Sequence, residues 1–345
     1  MRALVFHGPW KMAVEERPEP APSADDALLE IIATGICGSD LHGYTGETGR
    51  RHPGQVMGHE TVGRVLEDRT GAHRAGSVVT VNPVLGCGGC PACTVGMPQR
   101  CPDRRVIGVQ PDLSAAFAER MVAPARNVVP LPAGTPTDIG SLIEPLAVGY
   151  HAVLRGQLTD DDLIYVIGGG PIGQAAAIAA RRLGNTTIVV AELDVARRRL
   201  LTRLGFTAVD PMNLTADDIS AALGGRPTLV VDAVGDSATL QVALDFSAPA
   251  ARVVLVGMGA PRVAVGAYAL STGERSILGS FSYDEAAFRD TAQWAGDHAA
   301  ELEPMIEAWI GLAEAPDAFR ALAEGRLAAS KVLVYPARER RADPL

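Results

Sequence analysis

Short apolar runs broken by Gly, Pro and Asp dominate residues 1–145. The segments ALLEII, TVGRVL and SVVTV are rich in β-branched and aliphatic residues and read as strands of a loop-heavy β domain. From residue 146 the pattern changes to strand–helix alternation. DLIYVIGGG runs into PIGQAAAIAARRLG, TTIVVAEL into DVARRRLLTRLG and TLVVDAVG into DSATLQVALDFSA, with ARVVLVGMG following. Such alternation predicts a parallel sheet with crossover helices. Gly184 and Gly205 stand where helix C-caps belong. Beyond residue 283 the pattern predicts helices over 285–298 and 315–324, a last strand KVLVY and a solvated tail over 336–345.

Composition narrows the class. The 345 residues suffice for two domains, and 47% hydrophobic with 21% charged residues is ordinary for a globular chain. A net charge of −9 argues against nucleic acid or an anionic membrane as partner. The uncharged, apolar run Leu163–Ala180 contains GGGPIG and reads as strand, turn and helix rather than a membrane span. The opening MRALVFHGPWKM is too short in apolar length for a secretory signal, and clustered cysteines suit a reducing compartment, so a cytoplasmic protein is expected.

Three groups of residues carry chemistry. Cys87, Cys90, Cys93 and Cys101, in GCGGCPACTVGMPQRC, are spaced as the four thiolates of a closed, structural zinc site in a lobe over about 86–102, with two disulfides or an iron–sulfur cluster as the rival readings. Gly168, Gly170 and Gly173, enclosing Pro171 and Ile172, form G-x-G-x-x-G after a strand and before a helix. Those glycines allow a tight turn, close approach of a pyrophosphate and helix-on-strand packing, and the helix N-terminus supplies amide donors. Glu192 ends the next strand 19 residues past Gly173, where an acid grips a ribose 2′-hydroxyl and repels a 2′-phosphate, so NAD is favoured over NADP. The third group is scattered: Cys37 in GICGSDLH, His59 and Glu60 in GHE, and Glu144 in EP. A thiolate, an imidazole and a carboxylate meet the ligand count of a catalytic zinc, but spacing does not join residues so far apart.

In their order and spacing, GICGSDLH, GHETVG, the four-cysteine lobe, EPLAVGYHAV, GGGPIG and VVDAVG resemble the zinc-dependent medium-chain dehydrogenase/reductase family, the alcohol and polyol dehydrogenase group, along nearly the whole chain. The resemblance implies an α/β fold: an N-terminal GroES-like β domain (1–145 and 284–345) and a Rossmann doubly wound parallel sheet (146–283), the C-terminal segment returning to the first domain. It implies two zinc ions per chain, one catalytic and one structural, and NAD as cofactor. Cys37 and His59 match catalytic zinc ligands, with Glu144 as the third and Glu60 as an alternative or exchanging partner. Ser39 matches a proton-relay hydroxyl and His42 its terminal acceptor. Glu192 and Arg197 match adenosine-ribose contacts, and Gly257 and Ser280 lie where backbone approaches the nicotinamide. Asp40 reads as a turn residue or a support for the ligands.

The implied activity is hydride transfer between a secondary alcohol, diol or polyol, or the matching ketone or aldehyde, and NAD(H). Ser282 stands where sorbitol-type relatives often place an arginine, which weakens a sugar-alcohol assignment. The alternatives are a biosynthetic dehydrogenase of a larger hydroxylated intermediate and a non-catalytic NAD-binding relative. A homodimer or homotetramer is implied, with ARVVLVG and RSILGSF as candidate edge strands.

Overall fold

A computed structural model describes residues 1–337; most of the tail expected to be solvated lies outside the described residues. The chain divides into two compact units, one of Met1–Glu144 with the chain from Asp284 onward, the other of Pro145–Tyr283.

The first unit is built on a seven-stranded sheet running Ile306–Gly311, Lys331–Tyr335, Asp26–Gly35, Glu60–Asp68, Val78–Val81 and Val128–Pro130, with Arg120–Pro124 also paired to Asp26–Gly35. Pairing is antiparallel except between Ile306–Gly311 and Lys331–Tyr335. One side of this unit packs Leu29, Ile31, Val65, Val79 and Met121; another packs Leu4, Tyr44, Phe117 and Phe319. The decisive pairing is Asp26–Gly35 against Glu60–Asp68, in which Gly35 lies opposite Glu60. That register brings residues just beyond one strand's end beside those just before the other's start. The lobe of 86–102 leaves this sheet between two short paired strands, Val84–Leu85 and Arg105–Val106.

The second unit has six parallel strands in the order Thr207–Val209, Ile188–Ala191, Ile164–Ile167, Leu229–Asp232, Arg252–Leu255 and Ser276–Gly279. Numbered along the chain this is 3-2-1-4-5-6, the doubly wound dinucleotide-binding order, whose switch point lies beside the first strand. The three central strands, Ile188–Ala191, Ile164–Ile167 and Leu229–Asp232, are buried and mainly aliphatic, as parallel strands covered on both faces must be. Helices Pro171–Arg182 and Val195–Arg203 end at Leu183 and Leu204, each followed by a glycine in the left-handed region, Gly184 at φ +95° and Gly205 at φ +84°.

Among the elements not expected from pattern, two bear on the first unit. GSDLHGYT forms a helix, Gly38–Thr45, and IEAWIG forms the strand Ile306–Gly311. The C-terminal helices run Glu285–Asp297 and Ala315–Ala323.

Candidate active site

In the first unit the strand Asp26–Gly35 passes through Ile36 into the helix Gly38–Thr45, with Cys37 at its N-cap. Asp40 Oδ2 accepts the Cys37 amide at 3.2 Å, which satisfies a helix-end donor and fixes the backbone that carries the thiol. Just before the neighbouring strand Gly58, at φ +99°, turns the chain so that His59 leads into Glu60, the strand's first residue; a Cβ on Gly58 would stand 2.9 Å from Phe117 N. The ligand atoms of Cys37, His59 and Glu60 lie within 4.8 Å of one another, with His59 and Glu60 buried. Glu144, second residue of the helix Ile143–Arg155, is also buried but lies outside this group.

Three charged groups surround the cluster. Asp40 Oδ1 faces His59 Nδ1 at 3.6 Å, and neither atom has a hydrogen-bond partner among the described residues. Burial disfavours a charged His59, but Asp40 and Cys37 outweigh it and hold the imidazole well above its ordinary value. Lys331 Nζ donates to both oxygens of Glu60, at 2.7 and 2.6 Å. Gly35 makes room for that pair, because a Cβ there would meet Glu60 Oε2 at 2.1 Å. Arg51 lies near Asp40, its Nη2 3.8 Å from Oδ1. Ser39 and His42 share one face of the Cys37-capped helix, three residues apart. His42 Nδ1 is 2.5 Å from Glu47 Oε2, and that contact holds the Glu47 carboxyl below its usual range.

The lobe gathers the ligand atoms of Cys87, Cys90, Cys93 and Cys101 within 4.8 Å. Gly86 is forced there, since a Cβ would sit 2.5 Å from Cys93 Sγ. The amides of Gly89 and Cys90 lower Cys87 to about 7. For Cys93 the Gly88 amide favours the thiolate, but burial and the three neighbouring thiols push it up to about 12. Four sulfurs this close cannot all be thiolates without a cation, and a closed set of four sulfurs is what a structural zinc takes. The buried S, N and O donors around Cys37 likewise suit a zinc with a position left open.

In the second unit the loop 168–173 joins the strand Ile164–Ile167 to the helix Pro171–Arg182. Gly168 turns at φ +93°, and a Cβ on Gly173 would lie 1.8 Å from the Gly168 carbonyl oxygen, so helix and turn meet backbone to backbone. Before Gly170 the space is open: the nearest atom to a Cβ is Arg197 Nη1 at 4.0 Å. Pro171 opens the helix, and Ile172 is half-buried in its first turn. Glu192 is buried and accepts two amides, Gly169 N on Oε2 and Asp194 N on Oε1, both at 2.8 Å. Gly169, not singled out by the motif, is required by this acid, since its Cβ would lie 2.8 Å from Glu192 Cβ. Arg197 Nε is buried and has no hydrogen-bond partner among the described residues, whereas Arg198 holds the carbonyls of Glu192 and Leu193. Gly257 passes Gly235 with no room for a side chain, and the turn Val234–Gly235 is pinned by Asp232 Oδ1, which accepts both amides at 2.9 Å. Ser280 Oγ is buried without a hydrogen-bond partner among the described residues.

Of the charged groups around the site, Lys331 carries no motif in the sequence, whereas Glu47 and Arg51 lie on the charged loop GYTGETGRRHPG, which reads as solvated or as a contact for a polar substrate. The one signal for Lys331 was scarcity: Lys11 and Lys331 are the only lysines in the chain.

Comparison with known proteins agrees with this geometry. The alcohol dehydrogenase GroES-like domain matches residues 23–133 and the zinc-binding dehydrogenase domain residues 171–297. The chain belongs to the zinc-dependent medium-chain dehydrogenase family, the alcohol and polyol dehydrogenase group. It is an oxidoreductase that exchanges hydride between an alcohol and a carbonyl compound. It is 30% identical to 2-dehydro-3-deoxy-L-galactonate 5-dehydrogenase of Pseudoalteromonas atlantica over 326 residues, 92% of this chain and 94% of that one. The crystal structure of the alcohol dehydrogenase RspB from Escherichia coli with NADH has a TM-score of 0.89 at 28% identity, covering 97% of this chain and 99% of the other. A zinc-binding dehydrogenase from Sinorhizobium meliloti bound to NADP has a TM-score of 0.87 at 29% identity, with the same coverage. No helix among the described residues is long and apolar enough to cross a membrane.

Proposed function

We propose that the chain oxidises a secondary alcohol, diol or polyol, or reduces the matching carbonyl compound, with NAD(H), using a zinc held by Cys37, His59 and a glutamate. The observation that carries this is the meeting of Cys37, His59 and Glu60 at the start of the helix that bears Ser39 and His42. When bound, zinc supplies a Lewis acid for the substrate oxygen and the nicotinamide accepts the hydride. The protein's own part is to fix the ligands and to move one proton. Ser39 takes the hydroxyl proton and His42, half-exposed at the far end of the helix, passes it to solvent; a positioned relay of this kind is worth about 10²–10⁴-fold. Because Lys331 engages both Glu60 oxygens, Glu144 is our choice for the third ligand, with Glu60 as its exchanging partner.

Pro145–Tyr283 is the NAD-binding domain in this reading and the remainder the catalytic one. The open face of Gly170 receives the pyrophosphate, Glu192 and Arg197 border the adenosine ribose, and Gly257 and Ser280 approach the nicotinamide. Glu192 supports NAD over NADP by repelling a 2′-phosphate. The edge strand Ser276–Gly279 supports a homodimer or homotetramer, and the thiol-rich lobe supports a cytoplasmic location.

Cys37→Ala tests the reading: turnover is abolished while NADH still binds, and retained turnover refutes the zinc assignment. A substrate panel separates a second reading, a hydroxylated sugar acid. That reading is favoured by the galactonate-type relatives and by exposed Arg50 and His52 on the loop after the Ser39 helix. Preference for aldonates over neutral polyols of the same length supports it, and the reverse preference excludes it.

A further inference from the structure

Arg51 is a buried cation that no motif explains. Its side chain, 3% exposed, runs along the helix Gly38–Thr45, where Gly43 gives it passage: a Cβ on Gly43 would stand 2.7 Å from Arg51 Cγ. The guanidinium has three neighbours. Nη2 donates to the Ser39 carbonyl at 3.4 Å and stands 3.8 Å from Asp40 Oδ1, while Nε meets Met57 Sδ at 3.3 Å. Asp40, fully buried, then faces His59 Nδ1 with the same oxygen and caps the Cys37 amide with the other. Arg51, Asp40 and His59 therefore form a chain of buried groups, and its members also touch the backbone at Cys37 and Ser39.

We propose that Arg51 is a positioning residue for the catalytic metal: it neutralises Asp40 and holds that carboxylate against His59 Nδ1, so that His59 presents its other ring nitrogen to zinc. The inference rests on the reading of Cys37 and His59 as zinc ligands. The physical reason is that a carboxylate with no exposure needs a counter-charge to keep its place. Once placed, a carboxylate beside a ligating histidine fixes the ring's orientation and tautomer. Without Arg51 the carboxylate loses its counter-charge, and His59 loses its guide. Lys331 serves Glu60 on the other flank, so the two carboxylates nearest Cys37 and His59 each have a cation of their own.

Zinc release to a chromogenic chelator, followed at fixed pH from the whole protein, tests the proposal, with the lobe as internal control. The wild type should release two zinc ions per chain in two phases, and C101S, which empties the lobe, identifies the catalytic phase. In R51M the catalytic phase should accelerate about tenfold or more while the lobe phase stays unchanged. R51K, which keeps the charge, should fall between. Both phases accelerating together, or neither, overturns the proposal. If R51M does not fold, D40N and R51K carry the test: D40N should show the same selective loss, and R51K/D40N should release no faster than D40N alone, because both changes break one path. Additive acceleration overturns it. A wild type that holds zinc in the lobe only would refute the catalytic-zinc reading instead, before any variant is compared.

Discussion

Lys331 donates to both carboxylate oxygens of Glu60, and the two side chains are 1% and 0% exposed. The pair ties the last described strand to the one that begins beside His59, passing over Gly35, whose missing side chain is the condition for it. Burial alone would make Lys331 easier to deprotonate, but the charges of Glu60 and Cys37 outweigh burial and raise it above its ordinary value.

Removing the cation is therefore costly. Lys331→Met should destabilise the protein by about 3–5 kcal/mol in urea unfolding, because Glu60 is left buried and uncompensated. Lys331→Met with Glu60→Gln should recover part of the loss. The raised lysine contributes its full stability below the unfolded value of about 10.4 and loses it only as pH rises through the folded value. The contribution of Lys331 to wild-type stability should thus stay flat across neutral pH. A loss below about 1 kcal/mol would show that the pair is solvated.

The glycine loop separates a structural demand from a ligand demand. Gly173→Ala should give a poorly folded protein, since its methyl meets the Gly168 carbonyl. Gly170→Ala should fold with stability within about 1 kcal/mol of wild type, because nothing lies nearer than 4.0 Å. Its NADH affinity should nonetheless fall tenfold or more by fluorescence titration, since the methyl stands where the pyrophosphate approaches. Unchanged affinity would remove Gly170 from the cofactor site.

In the lobe, Cys101→Ser should lower the zinc content from about two to about one per chain. Cys101 is the buried member of the set, and its Sγ also accepts the Cys87 amide at 3.4 Å, so a lower melting temperature should accompany the loss. Two retained zinc ions would show that the lobe is not a metal site.

Acid should act on the second unit through Asp162. Burial favours its protonated form, but Thr228, Arg252 and the Thr159 amide together bring it below the usual carboxylate value. A depressed carboxylate contributes stability above the unfolded value of about 3.9 and loses it as pH falls through the folded value. Asp162→Asn should therefore cost about 1–3 kcal/mol at neutral pH. The gap to wild type should close below about pH 4 in chemical unfolding. A gap that persists to pH 2 would rule out the carboxylate's charge as its cause.

The parts legible in the sequence are those whose physics is local. The four cysteines fall within fifteen residues, so their spacing alone restricts what they can bind. The turn 168–173 and the acid ending the next strand belong to one strand–helix–strand unit, where hydrophobic pattern and glycine position carry the signal. The helix Gly38–Thr45 escaped because two glycines and five polar or aromatic residues give no helical stripe; its start depends on the Asp40 cap and its middle on packing around the Arg51 stem. The strand Ile306–Gly311 escaped because its pairing partner, Lys331–Tyr335, lies across an intervening helix.

Composition, periodicity and motif order settled the two-domain plan, the metal lobe and the dinucleotide turn, because each is written in neighbouring residues. The meeting of Cys37, His59 and Glu60 was set by the register of Gly35 against Glu60, and the pairing of Asp40 with Arg51 and of Glu60 with Lys331 by burial that no single segment contains. Charge inside a protein is stable only in company, and the company comes from strands and turns far apart in the chain.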